Sequence, residues 1–292
     1  MTSQLSQHTL SQFLRHTVTS VVISLTLCGA ANAQTLQTGD LAPFEVEYEV
    51  GNNLISAGTA TLKLVQEENN WTYSLDTKPR GVFKLAGKGL ISESSQFNVT
   101  DNGDSVQLQP HTYKFRQDDE RRREVDATFD WSAKTITHRY RGTETTESFD
   151  EPVLDRLTVT LLIMNALRHD FTSAELPVYD TDKIKLVKFI NDGMEELETP
   201  LGVMQTHRVI NRNASGGSRE TTTWFAPSLD YLPIKIEHRK RGELVARLSL
   251  IRVDNRVTSI ELGEESVDAG GDDVKAATEA TTETAAESTK TE

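Results

Sequence analysis

Along most of this chain, apolar and polar residues alternate with a period of two. In Phe44-Glu45-Val46-Glu47-Tyr48-Glu49-Val50, the apolar residues fall on one face and three glutamates on the other. Successive side chains of a strand point to opposite faces, so this spacing describes a strand with one face buried and one in water. That is the habit of antiparallel sheets, whereas buried parallel strands are apolar throughout. The pattern returns over 59–65, 71–77, 90–99, 106–116, 122–130, 135–141 and 145–149. It resumes over 183–190, 203–211, 219–226, 234–240 and 244–253. Turn-forming stretches punctuate the runs, among them Asp101-Asn102-Gly103-Asp104, Asn191-Asp192-Gly193, Thr199-Pro200-Leu201-Gly202, Ser215-Gly216-Gly217 and Arg241-Gly242. About thirteen short strands predict a mainly β fold, one large curled antiparallel sheet in the form of a half-barrel, a barrel or a sandwich.

One segment changes period. Leu154, Leu157, Leu161, Leu162, Asn165 and Leu167 recur near helical spacing, behind a capping Asp150 and a first-turn Pro152. They predict one amphipathic helix over 152–169, too apolar to lie free in solvent, packed on or in the curled sheet. Its face of Leu154, Leu157 and Leu161 is a candidate ligand-facing surface. The strand blocks on either side read as halves of one sheet.

The first 33 residues follow a different rule. Arg15 is their only fully charged side chain, an apolar run of about ten residues spans 18–27, and Ala31-Asn32-Ala33 offers small residues where a signal peptidase reads. The run is too short to cross a bilayer core of roughly 30 Å. The expectation is a cleavable export signal cut between Ala33 and Gln34, leaving a periplasmic protein of a Gram-negative bacterium with no transmembrane span. Lipid attachment at Cys28 is the rival, disfavoured by the bulky Leu27 before it.

Processing would change the composition. The whole chain has 31 Lys and Arg against 44 Asp and Glu; losing Arg15 leaves 30 against 44, net −14. It also loses Cys28, the only cysteine, and with it any disulfide, thiolate nucleophile or cysteine metal ligand. The acidic balance argues against nucleic acid and against charge-driven binding to anionic lipid surfaces. Residues 261–292 hold ten acidic residues against two lysines and no aromatic residue. Such a segment cannot bury enough apolar area to offset its ordering entropy, so 259–292 reads as a disordered acidic tail after a single β domain over 34–258.

Catalytic signatures are missing from the sequence. It has no nucleotide-binding loop, paired-histidine zinc motif, serine elbow or EF-hand loop, and nothing in it asks for a cofactor or a metal. His111, His138, His169, His207 and His238 are far apart, four of them inside predicted strands. The run Asp118-Asp119-Glu120-Arg121-Arg122-Arg123 reads as a solvated hairpin tip. More suggestive is Lys78–Gly89, a glycine-punctuated stretch carrying Val82, Phe83 and Leu85 between two strands. Apolar groups on such a loop either seal one end of the barrel or form a lid over an apolar cavity.

Several landmarks together resemble the bacterial exported family catalogued as domain of unknown function 3108, over roughly residues 42–254. The resemblance rests on Phe44–Val50, Ile55-Ser56-Ala57-Gly58-Thr59-Ala60, Arg80-Gly81-Val82-Phe83-Lys84, Phe129-Asp130-Trp131, Asp155-Arg156-Leu157 and Glu198-Thr199-Pro200-Leu201-Gly202. It ends on Trp224-Phe225-Ala226-Pro227 and Asp230-Tyr231-Leu232-Pro233. No established activity travels with that family. The last strands are also similar, at the level of fold, to periplasmic lipoprotein carriers of the curled-sheet type, which implies a carrier of acyl chains. The leading expectation is therefore a non-enzymatic binding or carrier module for an apolar, lipid-like ligand. The alternatives are an envelope interaction or scaffolding protein acting through sheet edges or the acidic tail, and an enzyme assembled from distant strands.

Overall fold

The computed structural model describes residues 41–52, 55–81, 90–101, 106–118 and 123–254. All belong to the first of two compact units, residues 1–256. The expected signal segment, the tip of the Lys78–Gly89 loop and the acidic tail lie outside the described residues.

Fifteen strands form one sheet. The first meander comprises β1 (Phe44–Gly51), β2 (Ser56–Glu67), β3 (Asn70–Pro79), β4 (Ile91–Asp101), β5 (Val106–Gln117), β6 (Arg123–Asp130), β7 (Thr135–Tyr140) and β8 (Thr143–Ser148). A two-residue strand β9 (Leu154–Asp155) and the helix α1 (Thr158–Leu167) follow. The second meander continues through β10 (Ser173–Asp180), β11 (Lys183–Thr199), β12 (Gly202–Asn213), β13 (Arg219–Ala226), β14 (Leu232–Lys240) and β15 (Glu243–Asp254). Within each meander successive strands pair antiparallel, β9 and β10 pair in parallel, and β1 pairs with β15 to join the two meanders into one sheet.

The sheet runs from β8 to β9 without a ladder between those two ends. It curls so that the ends meet through side chains. The Tyr179 ring of β10 packs edge-on against Tyr113 of β5 (5.8 Å) and Phe129 of β6 (5.7 Å), and lies 5.6 Å from His138 of β7. Glu147 Oε2 on β8 accepts a hydrogen bond from the Ile184 N–H of β11 at 2.9 Å. The result is a half-barrel with a packed seam.

The inward face begins with Phe44, Val46 and Tyr48, and register carries it to Leu62 and Leu64, to Tyr73 and to Leu250, all buried. Eight of the ten α1 residues are buried, and Leu161, Ile163, Met164 and Leu167 share the main cluster with both meanders. The helix therefore lies within the curl, each large apolar side chain contributing about 1.5–3 kcal/mol of burial. Among the described residues no helix is long and apolar enough to cross a membrane.

The structure corrects the sequence reading in three places. The helix spans 158–167 and not 152–169, because Leu154-Asp155 pairs with Val178-Tyr179 as a strand. Its cap is Asp155, whose Oδ1 accepts from Leu157 N (2.8 Å) and Thr158 N (3.0 Å); Asp150 lies well before the helix. The strand β10 was not expected, since Pro177 and a weak alternation disguise it. Asn191-Asp192-Gly193 is a bulge inside β11 where a turn was expected, with Gly193 at φ 100°. Beyond it, Met194–Thr206 of β11 and β12 continue as a two-stranded ribbon that neither β10 nor β13 borders.

Candidate functional site

The interior divides along the helix. Toward the chain end of α1, where Arg168 pairs with Asp230 at 2.8 Å, packing is close. The cavity lined by Leu41, Ala42, Phe44, Leu64, Leu161, Met164 and Arg168 measures about 10 Å³, room for one water and far short of the ≈300 Å³ at which small-molecule pockets begin. The candidate residues Leu154, Leu157 and Leu161 are 9%, 7% and 1% exposed and belong to the main cluster. Val82, Phe83 and Leu85 lie outside the described residues.

Toward the other end the inward positions turn polar. Leu75↔Glu93 and Tyr73↔Ser95 register puts Glu93 and Ser95 on the inner face of β4. Ser95 Oγ donates to Asp155 Oδ2 at 2.5 Å, so the residue that caps α1 is also tied to the sheet. Glu93, 3% exposed, accepts the Tyr113 hydroxyl at 2.7 Å and both Nε and Nη2 of Arg156. A two-pronged guanidinium–carboxylate pair is the strongest geometry such groups offer. Arg156 also lies over the Phe115 ring at 5.1 Å, and its Nη1 stands 3.8 Å from Asp180 Oδ1. Lys185 Nζ closes the row on Asp180 Oδ2 at 2.5 Å. A row Tyr113–Glu93–Arg156–Asp180–Lys185 thus crosses the seam between the meanders.

Ionisation follows this arrangement. Burial raises the Asp155 carboxyl, with the Ser95 hydroxyl and the Thr158 and Leu157 amides opposing. Burial, then the charge of Glu93, pushes the Tyr113 hydroxyl far above its ordinary range. Burial would raise Asp180 too, but the Lys185 hydrogen bond and the Arg156 charge outweigh it and hold that carboxyl below its usual value.

Facing this row across the opening stands His238 of β14. Its register with Thr221, and that of Ile236 with Leu248, sets it on the inner face. Its Nδ1 lies 2.8 Å from Thr221 Oγ1. Solvent reaches the ring, yet the surrounding protein depresses its basicity, first by crowding it from water and then by the charge of Arg156, with Glu93 opposing. On the inner face Val50, Leu75, Phe115, Leu176, Val187 and Ile236 are likewise only partly buried. The mouth of the half-barrel therefore combines apolar walls with a balanced ionic floor.

Sequence reasoning did not single out Glu93, Asp180, Lys185 or His238 as site residues. A signal for Glu93 existed: Glu93 and Ser95 occupy positions of β4 where the alternation asks for apolar groups. The five histidines do not come together, and among the described residues no group of three His, Cys, Asp or Glu side chains is placed to hold a metal.

A family model described as a protein of unknown function (DUF3108) matches residues 44–249. No curated protein matches the chain. Among solved structures, a β-barrel-like protein of domain of unknown function DUF1849 from Brucella abortus is 8% identical, with 73% of this chain and 98% of that one covered at a TM-score of 0.47. An inferred exported protein with a YmcC-like fold from Bacteroides fragilis is 7% identical (75% and 99% covered, TM-score 0.29). An inferred lipoprotein from Parabacteroides distasonis is 8% identical (75% and 98% covered, TM-score 0.28).

Proposed function

From the premise that this chain belongs to the DUF3108 family of proteins of unknown function, we propose that it is an exported, non-enzymatic binding protein for a lipid-like ligand. The ligand's apolar part enters the mouth of the half-barrel between Leu75, Phe115, Val187 and Ile236. The observation that carries this reading is the set of inward apolar side chains left only partly buried on the same inner face as Glu93 and His238, while eight of the ten α1 residues are buried. The cavity beside Leu161, Met164 and Arg168 holds only one water, so in this reading the ligand sits before the first turn of α1, with Leu154 and Leu157 at its inner end. The export signal read from residues 1–33 supports an envelope location, and the lid role read from the sequence for Val82, Phe83 and Leu85 belongs to the same proposal.

Displacement of a fluorescent acyl probe, together with mass spectrometry of the natively purified protein, tests it. Co-purifying acyl chains, and loss of probe binding in Val187→Asp but not in the outward-facing Lys188→Asp, are the expected results. A ligand-free protein with no measurable probe affinity would end this reading. One observation favours interaction through an exposed edge as a second reading. Among the described residues the ribbon Met194–Thr206 has no bordering strand, and it exposes Met194 (50%) and Val203 (61%), the features of a β-pairing site. A partner captured by the wild type and lost in Val203→Lys, with acyl binding absent, would select it.

A further inference from the structure

We propose that the ligand is a single-chain amphiphile with an anionic oxygen head group, received by Arg156, Lys185 and His238. This rests on the mouth being the binding site and adds the chemistry of the head. The three side chains come from separate elements: Arg156 from the turn after β9, Lys185 from β11 and His238 from β14. Each retains donors that the described residues leave unused. Arg156 commits Nε and Nη2 to Glu93, but Nη1, at 3.8 Å, is beyond hydrogen-bond reach of Asp180. Lys185 gives one of its three Nζ donors to Asp180. His238 uses Nδ1 toward Thr221, which leaves Nε2 for the opening. Arg156 is 38% exposed and Lys185 24%, so a ligand can reach both, and their desolvation is already part-way made.

Charge in the mouth is finely balanced. Glu93 and Asp180 offset Arg156 and Lys185, so that row is balanced while His238 is uncharged and gains one positive charge when it is protonated; Asp155 beside the row is fully buried, held by Ser95 and the first amides of α1, and burial biases its carboxyl toward the neutral form. The neighbours flanking His238 on β13 and β15, Thr221 and Ala246, do not titrate. Arg219, Lys240 and Glu243, paired across β13, β14 and β15, add cations and one carboxylate further toward the rim. Tyr113 stays neutral, its hydroxyl hydrogen-bonded to Glu93. An anionic head is the ligand group whose binding this balance rewards, and acidification strengthens the reward by charging His238.

The test compares four amphiphiles of equal chain length on the purified full chain, at about pH 7.5 and at about pH 5, the lower value set well below the ordinary histidine range because the surroundings of His238 depress its basicity. They are a fatty acid, a lysophosphatidic acid, a monoacylglycerol and an alkyltrimethylammonium. The two anions should bind about tenfold or more tighter than the neutral amphiphile, the gain expected of one charge-assisted hydrogen bond. The preference should widen at the lower pH, and the better of the two anions identifies carboxylate or phosphate. His238→Gln should abolish the widening and Lys185→Gln should cut the preference, each read as the ratio of anion to monoacylglycerol affinity within the same variant. Equal affinity for the anionic and neutral amphiphiles, or tightest binding of the cation, overturns this inference while leaving the acyl site standing. No binding of any of the four overturns both. The wild-type comparison stands even where a variant fails to fold.

Discussion

Glu93→Gln asks what the ionic floor contributes to stability. The substitution keeps the size and the acceptor for Tyr113 but removes the charge that faces Arg156. Removing one partner of a fully buried ion pair costs about 3–5 kcal/mol, because the other charge is left without its counter-ion. Here Glu93 is 3% exposed but Arg156 is 38%, so water and the nearby Asp180 take up part of the loss. About 1–3 kcal/mol remains, a fall in Tm of about 2–12 °C for a domain of this size. The assay is a thermal melt followed by circular dichroism at neutral pH, with Glu144→Gln as reference. That residue's pair with Arg139 has side chains 61% and 66% exposed and should contribute under about 0.5 kcal/mol. The double variant Glu93→Gln/Arg156→Met removes both charges and should melt closer to the wild type than the single one. The reasoning fails if Glu93→Gln melts no lower than Glu144→Gln, or if the double variant loses the sum of the two single effects.

Three further outcomes follow from the same structure. Asp155→Ala removes the helix cap and the Ser95 partner together and should cost about 2–4 kcal/mol in urea denaturation, with Asp155→Asn, which keeps Oδ1, well under half of that; equal losses would mean the cap is idle. Gly58→Ala would bring a Cβ to within 2.1 Å of the Lys78 carbonyl oxygen, so it should sharply lower the yield of folded protein; a variant as stable as wild type would refute that close approach. Glu237 is buried beneath Lys235, Arg239 and Arg247; burial alone would raise its carboxyl, but the hydrogen bonds from Arg239 and Lys235 outweigh that and hold it below its ordinary value. Its stabilisation is present above the ordinary Glu value and lost as pH falls through the lowered one, so the urea midpoint should decline from about pH 5 toward pH 3, and less steeply in Glu237→Gln; equal slopes would sink the assignment.

What could be read from the sequence was whatever repeats. The alternation of Phe44–Val50 identifies β1 and its inward face, and the same rule found most of the strands, because a half-buried strand must repeat every two residues. It could not find β10, where Pro177 interrupts the pattern, or the parallel pairing of Leu154-Asp155, which involves too few residues to have a period. Leucines at helical spacing gave the helix but not its start, since Asp155 caps through a side chain while sitting in a strand. The mouth was hardest to see. Glu93, Arg156 and Lys185 lie far apart along the chain, and periodicity registers a buried charge only as an interruption. Asp155-Arg156-Leu157 did stand out as a family-like motif, and its first two residues proved to hold Ser95 and Glu93.

The pairing of β1 with β15 bears on how the protein is made. The first of these strands to be synthesised, β1, sits near the middle of the finished sheet, and one of its two neighbours is β15, the last of them. Until that final segment arrives, β1 is an unpatched border with Val46 and Tyr48 on view, and the two meanders around α1 are not joined by a ladder at β1. Long-range closure of this kind is slow, because the loop entropy must be overcome before the contacts form. Loss of even the last few residues of β15 therefore leaves a sticky margin in the middle of the sheet.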